Sequence, residues 1–253
     1  MNTKILSDKA LAVIDSYKNF TVANATCSIP YFNNARTGLR GALKAEIGKG
    51  TPKDIYDEVE QITVTSKIDT KDFTSETLKK FLVEKNLGID CSAFVYYILN
   101  AESEERKTGG LDRHLVFPFA AGFLGGFKSK MRPVENTDVR TFAHEKNSQV
   151  VELKDVQIGD IITMIGSPNH ILVIYRIEYQ NFAPTTLHYV HAVAWPTDGL
   201  YGHGIHEGQI DIVNPHGGLL AQRWIELNRT DAQNHTFTRA QNSTTELRRL
   251  RFL

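Results

Sequence analysis

The stretch Gly88-Ile89-Asp90-Cys91-Ser92-Ala93-Phe94-Val95-Tyr96-Tyr97-Ile98-Leu99 decides how the rest of the chain is read. It is the most apolar helix-forming run in the sequence, and Asp90 stands where a side-chain cap belongs. Helical spacing puts Phe94, Val95, Ile98 and Leu99 on one core-facing stripe and Cys91 in the first turn. A helix N-terminus favours thiolate over thiol, and its leading N–H groups can stabilise an oxyanion. Cys91 is therefore a candidate nucleophile. The competing reading is a packing cysteine in a buried helix.

Upstream, the pattern is helical. Residues 7 to 18 predict a helix capped by Ser7, and residues 37 to 47, 52 to 62 and 74 to 84 predict three more. Thr51-Pro52 is a cap followed by a first-turn proline, and Thr74 or Ser75 caps the last of the three. Residues 101 to 149 are mixed and glycine-bearing, a region expected to be helical only in part. After 150 the period shortens to that of strands, expected at 150–153, 161–165, 171–179, 187–195, 208–213 and 246–253. Helices first and an antiparallel meander second predict an α+β domain. The chain reads as one domain over 1–253, with a helix in 1–26 and the sheet in 150–253.

Composition narrows the function classes. A chain of 253 residues can bury roughly 70–75% of its extended surface, so its core needs neither disulfides nor a structural metal. Lys plus Arg and Asp plus Glu both number 29, which argues against a basic surface that tracks nucleic acid. No apolar run is long enough to span a membrane. The first residues lack the apolar segment of a signal peptide, which leaves the compartment undecided. Two cysteines, Cys27 and Cys91, are too few for a disulfide scaffold.

A cysteine nucleophile needs an imidazole base, held in turn by a third polar group. Six of the nine histidines lie between 170 and 216. His170 opens the expected central strand directly after the turn Gly166-Ser167-Pro168-Asn169, where an imidazole is fixed yet accessible. On the next strand, Tyr189 and His191 share one face by the period of two. If the two strands form a hairpin, His191 can approach His170 and orient its second nitrogen.

Together these segments resemble the NlpC/P60 superfamily of papain-like cysteine peptidases and amidases. Gly88-Ile89-Asp90-Cys91-Ser92-Ala93-Phe94 is similar to its nucleophile motif, with Ala93 in place of the usual glycine. Ile29-Pro30-Tyr31 resembles the upstream Pro-Tyr, although Asn33-Asn34 stands where glycines are usual. The run from Leu153 through Gly159-Asp160 to Ile161 resembles the lead into the first sheet strand. His170 and its strand resemble the base strand, and Tyr189-Val190-His191-Ala192 resembles the setting of the third polar residue. Arg248-Arg249-Leu250 resembles the closing strand.

The resemblance implies a nucleophile helix packed on an antiparallel sheet of about five to six strands, with helical insertions at 35–87 and 101–149. It further implies catalytic Cys91, His170 and His191, with the Tyr31 hydroxyl beside the nucleophile, and no cofactor or metal. The substrate it implies is a peptide or a peptidoglycan fragment, and the insertions are places for a protein partner.

Two other readings stay open. The scaffold can persist as an inactive binding module. A metal hydrolase can be assembled from His188, His191, His203 and His206 with Glu207 and Asp211, although a three-residue gap on a strand puts His188 and His191 on opposite faces.

Overall fold

A computed structural model describes residues 2–32, 43–119, 129–229 and 233–253. The helical half begins with α1 (Asp8–Lys18), whose first turn is capped by the Ser7 hydroxyl accepting from the Ala10 N–H. Thr51 and Pro52 start α2 (Pro52–Ser66), and Thr74 caps α3 (Ser75–Glu84). The central helix, α4 (Cys91–Glu105), is capped by Asp90 and buries residues on every side, from Cys91 and Phe94 to Glu102 and Ser103. Such all-round burial marks a helix inside the core rather than on its surface. Its partners are α1 on one side and the sheet on the other. Tyr17 of α1 meets Phe94 edge to face at 5.3 Å, and Glu102 accepts from the Ser7 N–H at 2.8 Å.

The strands are β1 (Asn2–Ile5), β2 (Phe20–Val22), β3 (Ala25–Cys27), β4 (Ser148–Val150), β5 (Ile161–Ile165), β6 (His170–Gln180), β7 (Ala183–Val193), β8 (Gly204–Asp211), β9 (Arg223–Glu226) and β10 (Thr244–Leu250). The main sheet is antiparallel in the order β4-β10-β5-β6-β7-β8-β9, and β1 pairs with the far half of β6. Short helices α5 (Leu111–His114), α6 (Pro133–Asn136) and α7 (Val139–Ala143) fill the described parts of 101–149. A last helix, α8 (His235–Gln241), sits between β9 and β10.

The mixed α+β order is as read from the sequence, with two corrections. The sheet has eight strands among the described residues rather than five to six. The first 26 residues also give more than a helix, because β1 joins the sheet and β2 pairs with β3. β1 went unread because all four of its residues are exposed and it joins β6 mainly through its backbone. β9 is only four residues long, and α8 carries no apolar stripe over enough turns to declare itself. The expected helix at 37–47 appears as a short turn of helix at Lys44–Ile47, and residues 37–42 lie outside the described residues.

Both faces of the central strands are covered, which places the site. On β6, Ile171 and Val173 belong to the core shared with α4, while Leu172 and Ile174 belong to a second core with Trp224 and Ala240. On β7, Val190 and Ala192 face α4, and Tyr189 faces the second core. By alternation, His170 and His191 point to the side of α8. Among the described residues, no helix is long and apolar enough to cross a membrane.

Candidate functional site

The turn before Cys91 is held by backbone on both sides. Ile89 bridges Tyr31 in parallel and Lys49 in antiparallel fashion, and the Asp90 N–H donates to Gly48 O at 2.9 Å. The chains run so close that a Cβ at Gly88 would lie 2.6 Å from Pro30 O. Only glycine fits there. This packing fixes the phase at which α4 begins, and so where the Cys91 side chain points. It also sets half-buried Tyr31 beside the segment that delivers the cysteine.

Around that turn lies a buried cation that sequence reading missed. The Lys49 ammonium contacts Asp90 Oδ2 at 2.8 Å and donates to Ser92 Oγ at 2.8 Å and to Thr137 O at 2.9 Å. The other Asp90 oxygen accepts from the Ala93 N–H at 2.7 Å and from the Ser92 hydroxyl. Thr137 thereby ties the region 101–149 to the turn that leads into Cys91. In the sequence, Lys49 sits between two glycines and reads as a surface turn.

The Cys91 sulfur accepts a hydrogen bond from the Ile171 N–H, next to His170. The β6–β7 ladder makes this contact accessible. It runs from Gln180↔Ala183 to Val173↔Val190, while both strands continue beyond it, to His170 and Val193. In that split, His170 Nε2 lies 2.8 Å from His191 Nδ1. The hairpin expected from the sequence thus brings the two imidazoles together. His191 Nε2 in turn lies 3.5 Å from Glu226 Oε1, an ion-pair distance that is long for a hydrogen bond. Glu226 on β9 was not foreseen, since a carboxylate in so short a strand gives no local signal.

The electrostatics oppose the expectation of a lowered thiol pKa. Burial pushes the Cys91 thiol up to about 12, and Asp90 adds to it, against the pull of Lys49, the Ile171 N–H and Arg239. The physical reason is that Cys91 is only 6% exposed. Burial, Arg239 and His191 together hold His170 well below the ordinary imidazole value. The resting pair is therefore a neutral thiol and a neutral imidazole. The side chain of Arg239 on α8, a half-buried residue, has no hydrogen bond or ion pair among the described residues.

No protein-family model, curated protein or solved structure matches this chain. The site must be judged on its own geometry.

That geometry separates the histidines offered for a metal. His188 pairs with Glu178 at 3.1 Å, away from the split. His206, opposite His191 on β8, accepts from Arg229 at 2.9 Å, and Arg229 pairs with Asp198 and stacks on Trp195. The backbone oxygen of buried His203 accepts from Lys79 at 2.6 Å. Among the described residues, no three His, Cys, Asp or Glu side chains converge as a metal-holding group. Cys27 and Cys91 are both free thiols. Asn33 and Asn34 lie outside the described residues.

Proposed function

We propose that the protein is a cysteine-dependent amide hydrolase that works through a thioester, on a peptide or a peptidoglycan stem peptide. One observation carries this reading: the Cys91 sulfur rests on the Ile171 N–H at the split end of β6–β7, one residue along the strand from His170, whose imidazole is held by a second imidazole. His170 takes the thiol proton as sulfur attacks the amide carbonyl, so no free thiolate has to persist in the buried site. The Cys91 N–H at the head of α4, with the Tyr31 hydroxyl, serves the oxyanion. The tetrahedral adduct collapses, His170 returns the proton to the leaving amine, and a thioester remains on Cys91. Water, deprotonated by His170, then releases the acid and restores the thiol.

The test is mass-spectrometric digestion of purified muropeptides and simple peptides, with Cys91→Ala as control. The wild type is expected to cleave at a defined amide bond, and Cys91→Ala to lose at least ~10³-fold while keeping its circular dichroism spectrum. Cleavage that survives the substitution sinks the mechanism.

One observation favours a second reading, that of an inactive binding module. Cys91 is 6% exposed and His170 only 1%, so substrate reaches them only if the cover above the split opens. A protein that binds such fragments but never cleaves them, with or without Cys91, would be of this second kind.

A further inference from the structure

Behind His170 stands a row of buried groups whose donors and acceptors determine one another. Its far end is the Glu226 carboxylate, which accepts from the Tyr189 hydroxyl at 2.7 Å and has the Thr236 hydroxyl of α8 beside it. Burial works to raise Glu226, but nearby His191, with those two hydroxyls, outweighs it and holds the carboxyl below its ordinary range. An ionised carboxylate only accepts, so the His191 nitrogen facing it, Nε2, carries a proton. Where that is the one proton on His191, its Nδ1 is bare. The only donor for the 2.8 Å contact with His170 is the Nε2–H of His170. That leaves His170 Nδ1 without a proton. His170 Nδ1 is buried with no hydrogen-bond partner among the described residues, as is His191 Nε2, whose 3.5 Å approach to Glu226 is an ion-pair distance.

We infer that Glu226 is a positioning residue which, acting through His191, keeps the His170 proton on Nε2 and leaves Nδ1 bare as the base for Cys91. The role assigned to Nδ1 rests on the reading of Cys91 as nucleophile, whereas the proton pattern does not. The charged and titratable groups around the row come from every neighbouring element: Tyr189 on β7, His206 on β8, Arg229 with Asp198, Arg239 from α8 and Cys91 from α4. Arg239 opposes protonation of His170 and Arg229 that of His206, so for these two imidazoles at neutral pH the question is one of tautomers rather than of charge. His206 supplies an internal contrast. Arg229 can only donate, so His206 Nε2 is bare and its proton lies on Nδ1.

Long-range proton–nitrogen correlation spectra of the full chain, labelled with nitrogen-15 in histidine, read these tautomers directly. Single His→Gln variants assign the peaks. At pH 7.5 the wild type is expected to show His170 and His191 protonated on Nε2 and His206 on Nδ1. In Glu226→Leu the single Nε2–H pattern of His170 and His191 is expected to be lost, with His206 unchanged. A wild-type His170 protonated on Nδ1 overturns the inference, and so does a Glu226→Leu spectrum with His170 and His191 unaltered. If Glu226→Leu does not fold, the wild-type spectrum alone still decides the proton pattern. No substrate is needed, so a failure here is separable from a failure of the hydrolase reading, which the Cys91→Ala digestion tests.

Discussion

The two ends of the β6–β7 hairpin are built from the same two strands and differ in what their backbone does. At the turn end the strands stay paired up to Gln180↔Ala183 across a register shift between Glu178 and Tyr179, the loop is the two-residue turn Asn181-Phe182, and His188 pairs with Glu178 as an ordinary strand histidine. At the other end, beyond Val173↔Val190, the Ile171 N–H goes to a sulfur and two imidazoles share a hydrogen bond. The difference teaches that the proposed chemistry would depend on an unfinished ladder. A backbone donor that no neighbouring strand takes is free to hold Cys91, and the parted side chains leave room for His170 and His191. His188 and His191 lie three positions apart on one strand, and that spacing puts the two in unlike chemistry.

The largest effect that could break this comparison is on turnover. His170→Gln is expected to lower kcat by about 10²–10⁴-fold, the usual worth of a positioned general base, with the fold retained. The matching His188→Gln should leave kcat and KM within about 2-fold, as expected of a side chain outside the chemistry. Steady-state rates on the same peptide check both. Equal losses in the two variants would erase the distinction between the ends.

A smaller effect concerns stability in acid, and it sharpens the electrostatic side of the comparison. Burial, with Arg229 and His191, lowers His206 to about 4, and His170 is also held well below the ordinary value. In the unfolded chain both imidazoles take protons near pH 6.5, while in the folded chain they decline them. The folded state therefore keeps its full stability above about pH 6.5 and loses it as pH falls toward 4, with His206 alone accounting for about 3 kcal/mol. Denaturant unfolding at pH 7 and at pH 4.5 measures this loss. His206→Gln, which can still accept from Arg229, should flatten it by a corresponding amount. An unchanged slope would mean that the buried histidines are not held neutral.

Much of the site was legible because its signals are local. Asp90 before Cys91 declares a helix start, since a cap lies within three residues of the amide it satisfies. The period of two put His191 on the same face as Tyr189, and the conditional hairpin of the two strands allowed its meeting with His170. What remained hidden depends on distance along the chain. Lys49 reaches Thr137, Tyr189 reaches Glu226, and Trp195 bonds Thr236 of α8. None of these carries a local pattern that names its partner. The raised thiol pKa was hidden for the same reason. A helix start predicts a lowered value, but the burial that overrides it is supplied by segments far away in sequence.

The most direct test of the central claim is rapid quenching of the protein with a reactive acyl donor, such as a peptide thioester, followed by intact-mass analysis and peptide mapping. The account predicts one acyl group, on Cys91, removed by hydroxylamine and markedly slower to form in His170→Gln. Acylation confined to Cys27 or to another residue, or forming on Cys91 at the same rate without His170, would contradict it.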